Sequence, residues 1–168
     1  DIKVLITNKD DAGCIKRAKN SEIPYKIIKG KNFLKKELFE LEIINTLLSF
    51  DVELVVMAGW MKIVTPFFIN KFKNKIINIH PSLLPAYKGA SAIKEALLNG
   101  SKITGCSVHF VEEEVDSGSL ISQAALSILK EDNIETLSNK IQILEHMILP
   151  YSICHAGFMI RSNFKENY

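Results

Sequence analysis

Apolar residues recur along this chain in two spacings, short unbroken runs and three- or four-residue steps. Residues 2–7 form an apolar run that stops at Asn8-Lys9-Asp10-Asp11, a turn or helix-start cluster. A short helix through Ile15 and Ala18 follows, then a short strand over 25–29 after Pro24. Over 33–50, Leu34, Leu38, Leu41, Ile44 and Leu48 fall at helical steps with Lys35, Lys36, Glu40 and Glu42 between them, which predicts a helix with that row as its apolar face. Residues 53–58 show no alternation, the pattern of a parallel strand covered on both faces, and Gly59 ends it. Pro66 can open a helix. Residues 75–79 read as another buried strand, 80–89 as a loop with two prolines, and 90–98 as a short helix stopped by Asn99-Gly100. Residues 103–111 and 120–129 read as an antiparallel hairpin around an acidic loop. Asp132 with Glu135 suggests a capping box for a last helix, whose Leu137, Ile141, Leu144 and Ile148 line one face before Pro150.

Strands alternating with helices imply an α/β fold, and 168 residues fit one domain spanning 1–168. Ligands in such sheets sit at the carboxyl ends of strands. That directs attention to the residues just after Ala58, Ile79 and Val111.

Composition narrows the class. Hydrophobic residues are 47% and charged residues 24%, which excludes a disordered chain. Lys+Arg is 21 against Asp+Glu 19, too even for a protein built to hold nucleic-acid phosphates. The lysines over 26–36 and at 71, 73 and 75 read as solvated faces. No apolar run approaches the ~20 residues of a membrane span, and no signal-peptide pattern opens the sequence, so a cytoplasmic protein without a membrane partner is expected. Cys14, Cys106 and Cys154 lack close metal spacing and read as reduced, buried thiols. The four histidines show no recognisable metal-ligand spacing, and no glycine-rich phosphate loop follows any strand.

Three stretches could carry chemistry. In Asn78-Ile79-His80-Pro81-Ser82-Leu83-Leu84-Pro85, period-two alternation puts Asn78 and His80 on one side of a strand. An amide NH2 can stabilise an oxyanion, and an imidazole can move protons near neutral pH. The same residues could equally be strand-end polar caps. In Val108-His109-Phe110-Val111-Glu112-Glu113-Glu114-Val115-Asp116-Ser117-Gly118, four carboxylates lie within five positions. The three glutamates suit an exposed turn and Asp116 is the better catalytic candidate. His109 is spaced as a strand residue and reads as structural. In Ala58-Gly59-Trp60-Met61-Lys62-Ile63-Val64, backbone groups and apolar side chains could hold a flat heterocycle, or simply lead into core.

Together these segments resemble the folate-dependent formyltransferase family. The resemblance runs through Ala58-Gly59-Trp60-Met61, 78–85, Gly105-Cys106-Ser107-Val108-His109-Phe110-Val111 and Asp116-Ser117-Gly118, in matching order along nearly the whole chain. It implies a Rossmann-like three-layer fold, a mostly parallel sheet with helices on both faces and an antiparallel C-terminal portion. It implies formyl transfer from 10-formyltetrahydrofolate, without a metal, to the amine of 5-phosphoribosylglycinamide in de novo purine biosynthesis. Asn78 and His80 would polarise the formyl oxygen, and Asp116 would keep His80 protonated and order a relaying water. Lys36, Met61, Lys62, Ile63 and Val64, with Asn78, Val111, Glu112, Glu113, Glu114, Val115 and Asp116, would contact the folate. Gln142 and Glu145, three apart on one helix face, would contact the ribonucleotide. A monomer or homodimer is expected.

The chain also departs from the family pattern. A strand and a Gly/Ser/Asn-rich phosphate loop precede the segment matching 2–7 in the family, which suggests an N-terminally truncated sequence. That strand would lie between those matching 2–7 and 53–58. Ser91 stands where some relatives have histidine. Two alternatives stay open: a formyltetrahydrofolate deformylase using the same Asn-His-Asp set, and a catalytically silent folate-binding fragment.

Overall fold

The computed structural model describes residues 1–162, which group into two compact units: Asp1–Glu53 with Val64–Lys71, and Leu54–Ile63 with the chain from Phe72 onward. In the first unit, β1 (Leu5–Thr7) and β2 (Tyr25–Ile27) pair in parallel, connected through α1 (Gly13–Asn20). Helix α2 (Lys36–Ser49) buries Phe39, Glu40, Ile43, Ile44, Thr46 and Leu47. The expected face is therefore not the buried one. Of the row singled out by spacing, Ile44 is buried, but Leu38, Leu41 and Leu48 are exposed, and Leu34 is exposed before the helix begins. Apolar residues occupy most of the circumference of α2, so periodicity alone leaves two candidate faces and tertiary packing selects 39/43/47 with 40/44. Buried Glu40 accepts hydrogen bonds from the Thr65 backbone N–H (2.8 Å) and from the Thr65 hydroxyl, just ahead of α3 (Pro66–Lys71). Lys26 pairs with Glu42 and Lys29 with Asp10, so part of the lysine-rich stretch is neutralised locally.

The second unit is a four-stranded sheet in the order β3 (Val55–Met57), β4 (Ile76–His80), β5 (Ile103–Phe110), β6 (Leu120–Ser127). β3 and β4 are parallel; β4, β5 and β6 are antiparallel neighbours, giving the antiparallel C-terminal portion expected. Central position explains why β4 and β5 are almost wholly buried. β3 was expected to be covered on both faces. It is the edge strand instead, with Val56 exposed and Val55 and Met57 only half-buried. His80, assigned to a loop by its prolines, is the last strand residue of β4.

Alternation gives this sheet two chemically distinct faces. Ile77, Ile79, Val108 and Cys106 point to one side and pack with Leu137, Ile141 and Ala156 of α5 (Ile134–Arg161). Ladder partners share a face, so Asn78, His80, Ser107, His109 and Gln123 lie on the other. Helix α4 (Ala92–Leu98) adds Ile93 and Leu97 to the apolar side.

Two expectations about α5 are corrected. Its capping box is Asn133 with Thr136, one residue beyond the Asp132/Glu135 pair; Asp132 instead accepts from Leu129 N–H, Thr136 Oγ1 and Lys140 Nζ. These contacts, Lys140 foremost, hold the Asp132 carboxyl below its ordinary range. The helix also runs through Pro150. Pro150 and His146 both lie on the exposed side, where the carbonyl freed by the missing N–H can meet water. The resulting 28 residues are long and apolar enough to cross a membrane by length and composition, but Leu137, Ile141, Ser152, Ala156 and Met159 are buried in this fold. All three cysteines are free; only Cys106 is buried, while Cys14 is half-buried and Cys154 exposed, contrary to the reading of three buried thiols.

Candidate active site

The site is built on the polar face of the second unit. Asn78 and His80 stand two apart at the carboxyl end of β4, and the ladder sets Asn78 opposite His109 and His80 opposite Ser107. β3 runs parallel to β4 with Met57 beside Asn78, so the 58–63 segment leaves the sheet at that same end.

The 81–88 loop is fastened by side chains that motif reading passed over. Ser107 Oγ donates to the Ser82 carbonyl (2.6 Å) and accepts from Leu84 N–H (3.0 Å) and Gln123 Nε2 (2.8 Å). Gln123 Nε2 also donates to the Leu84 carbonyl (3.0 Å). Ser82 Oγ donates to the Ala86 carbonyl (2.5 Å). Ser82 and Ser107 are fully buried, and an unmet hydroxyl there would cost about 1–3 kcal/mol, so the network pins the loop.

That loop turns back at Tyr87, whose φ of 55° is left-handed, and delivers its carbonyl to His80. His80 Nε2 lies 2.8 Å from Tyr87 O. A carbonyl only accepts, so Nε2 carries a proton. His80 Nδ1 lies 3.3 Å from Asp116 Oδ2, and both side chains are more than nine-tenths buried. An imidazolium donates to both oxygens, whereas a neutral ring satisfies only one. Asp116 Oδ2 also accepts the Gly89 N–H (2.8 Å). Asp116 is itself left-handed, with φ 52°, a strained conformation for a non-glycine residue of the kind concentrated at functional sites.

The 112–119 loop closes tightly behind Asp116. A Cβ on Gly118 would sit 1.9 Å from the Phe110 carbonyl oxygen, so only glycine fits without backbone movement. Glu112, Glu113, Glu114 and Val115 are exposed, Val111 is half-buried, and Glu114 pairs with Lys88 at 3.0 Å.

His109, set aside as structural, belongs to this cluster. It is buried, with Nδ1 2.7 Å from Phe110 O and Nε2 3.3 Å from Asn78 Nδ2 and 3.5 Å from Asp116 Oδ1. Burial pushes its imidazole below the ordinary range, outweighing its own Phe110 hydrogen bond and the Asp116 charge. No local sequence signal marked it: His109 becomes a neighbour of Asn78 only because β5 runs antiparallel to β4 in this register.

Gln142 and Glu145 line one pocket of about 320 Å³ with Pro81, Ile93, Ser138, Asn139 and Ile141. Pro81 follows His80 directly, so this pocket adjoins the end of β4. Burial raises the Glu145 carboxyl above its ordinary value. Burial, reinforced by the Glu145 charge, pushes the Cys106 thiol up to about 11, which leaves it a poor nucleophile. Met61, Lys62 and Ile63 are exposed in the loop after β3, whereas Lys36 and Val64 belong to the first unit. Among the described residues, no group of three or more His, Cys, Asp or Glu is placed to hold a metal ion.

The polar end of β4 thus brings Asn78 and His80 beside Asp116 of the 112–119 loop, an amide donor, an imidazole and a carboxylate of the kinds that can stabilise an oxyanion and move a proton. The formyl transferase family model matches residues 1–153, and the chain belongs to that family. It is 42% identical over 152 residues to the phosphoribosylglycinamide formyltransferase of Haemophilus influenzae, covering 90% of this chain and 72% of that protein. It is 40% identical over 153 residues to the trifunctional purine biosynthetic protein adenosine-3 of Chironomus tentans, covering 91% of this chain but 11% of that much longer protein. The crystal structure of phosphoribosylglycinamide formyltransferase from Bacillus halodurans superposes with a TM-score of 0.88 at 38% identity, over 95% of this chain and 81% of that one.

Proposed function

We propose that this chain transfers the formyl group of 10-formyltetrahydrofolate to the amine of 5-phosphoribosylglycinamide, a step of purine biosynthesis. The observation that carries this reading is His80 Nδ1 facing Asp116 Oδ2 at 3.3 Å beside Asn78, on a family-matched chain.

The amine nitrogen attacks the formyl carbon, and the carbonyl π pair moves to oxygen. The Asn78 amide and the His80 imidazolium favour that oxyanion electrostatically, the kind of effect that supplies the largest share of many enzymatic accelerations. Collapse re-forms the carbonyl and breaks the bond to folate N10. N10 gains a proton and the attacking nitrogen loses one, so tetrahydrofolate and the N-formyl product account for every atom. Asp116 balances the imidazolium charge and is placed to order a water relaying that proton. Two bound reactants make proximity a large part of the rate.

We further infer that Met61, Lys62, Ile63 and residues 111–116 hold the folate, and that Gln142 and Glu145 hold the ribonucleotide. The pocket containing both of the latter supports that assignment. A soluble, cytoplasmic enzyme fits the purine role, as monomer or homodimer.

The test follows loss of the formyl group from 10-formyltetrahydrofolate with and without 5-phosphoribosylglycinamide, using the natural polypeptide that carries these 168 residues. Turnover that requires the amine is expected. Equal turnover without it would make the site hydrolytic.

A further inference from the structure

We infer that Gln123, two strands away from His80, is a positioning residue: its amide N–H groups set the arm of chain that delivers the Tyr87 carbonyl to the imidazole. The effect on catalysis rests on the formyl-transfer reading; the chain of hydrogen bonds does not.

His80, Ser107 and Gln123 are successive ladder partners across β4, β5 and β6, so they form one row on the polar face of the sheet. The row runs outward from the buried imidazole to an exposed amide. At its middle the Ser107 hydroxyl is saturated. A carbonyl only accepts, so the hydroxyl proton goes to Ser82 O, and the two lone pairs take Leu84 N–H and Gln123 Nε2. The same rule orients the Gln123 amide. Leu84 O, 3.0 Å away, needs a donor, so the NH2 end faces inward, one hydrogen on Leu84 O and one on Ser107 Oγ.

Leu84 is therefore held by both of its backbone groups, the N–H by Ser107 and the carbonyl by Gln123. From that fixed point a short arm leads to Tyr87. Pro85 stiffens its first step, and Ala86 N–H closes a turn on Leu83 O at 3.0 Å. Tyr87 O then meets His80 Nε2 at 2.8 Å, at a left-handed φ of 55° that an aromatic residue keeps only when its surroundings hold it there. Ser107 fixes where the arm starts. Gln123, by holding the Leu84 carbonyl, sets the plane of the 84–85 peptide and so the direction of the arm. A swing of that peptide moves the Tyr87 carbonyl off Nε2 and lets the imidazole pivot about its Asp116 contact.

Three variants at this exposed position separate donation from size. Gln123→Lys keeps donors for both acceptors, Gln123→Met keeps the volume without them, and Gln123→Glu sets an acceptor against Leu84 O. In the transfer assay Gln123→Met should lower kcat ~10-fold, part of the ~10²-fold that a 1 Å misplacement can cost, with KM for both substrates within about threefold. Gln123→Glu should lose at least as much, and Gln123→Lys should stay within about threefold of wild type. In 15N–1H spectra of histidine-labelled protein, assigned with His80→Gln, the His80 Nε2 proton should move upfield and exchange faster in the Met and Glu variants and stay in place in the Lys variant. Wild-type kcat in folded Gln123→Met, or Gln123→Lys as slow as Gln123→Met, overturns the positioning role. So does a loss of kcat with an unmoved His80 proton, which would mark a merely structural effect. A wild type without transfer overturns the formyl-transfer reading and the catalytic role with it, while a displaced His80 proton in Gln123→Met would still establish the link from Gln123 to His80.

Discussion

His80 Nδ1 and Asp116 Oδ2 face each other across 3.3 Å with their side chains 6% and 9% exposed, so each polar group is met mainly by protein rather than by water. Removing one partner leaves the other buried and uncompensated, a far larger perturbation than breaking a surface pair. Asp116→Asn keeps the shape and removes the charge. It should cut formyl transfer at least ~10²-fold, as should His80→Ala, the scale of general acid–base and oxyanion groups. Steady-state kinetics on folded variants checks both; near wild-type rates in the pair would remove this constellation from the mechanism.

Glu145 gives a pH-dependent stability of defined sign. Burial raises its carboxyl above the ordinary 4.5, so the folded chain holds that proton more tightly than the unfolded one. Its favourable contribution is complete below 4.5 and is lost as pH rises through the folded value. Glu145→Gln should therefore melt at a higher temperature than wild type at pH 7.5, and the difference should shrink as pH falls toward 4. Thermal denaturation across that range checks it. A constant difference would show that desolvation of this carboxylate does not govern the effect.

In the first unit, Glu40→Ala should destabilise by about 1–3 kcal/mol, because it strips a buried backbone N–H and a hydroxyl of their acceptor. Glu40→Gln keeps one acceptor oxygen and should lose less. Urea unfolding of both variants measures the order, and Ala tolerated as well as Gln would contradict the anchoring of Thr65.

The strands were legible because period-two side chains and continuous apolar runs survive any tertiary context; Asn78 and His80 share a face for that reason alone. The face of α2 was not, since Phe39, Ile43 and Leu47 compete with Leu38, Leu41 and Leu48 on nearly equal terms. Continuation of α5 through Pro150 was hidden because the tolerance depends on which side meets water. In the site, side chains with a chemical signature were visible, but the Tyr87 carbonyl and Gly89 N–H that hold His80 and Asp116 are backbone groups any residue could supply. His109 was missed because its role depends on register rather than on local motif.

That register sets where this protein can tolerate changes in length. β4 and β5 run antiparallel with Asn78 opposite His109, and α4 lies in the long connection between them. A residue gained or lost between the end of α4 and Ile103 leaves the pairing alone, whereas one within 81–89 would displace the Tyr87 carbonyl and Gly89 N–H that hold His80 and Asp116. The same event inside β5, between Ile103 and His109, reverses inside and outside for one part of the strand, bringing Val108 or Phe110 opposite Asn78 in place of the imidazole. The β5–β6 ladder already contains one such miscount, at Val108/His109, where Ile121 stands as the extra residue on β6. Lineages of this sequence should therefore vary in length between Leu98 and Ile103 and after Ser127, and keep the number of residues from Ile103 to His109 fixed even where their identities drift.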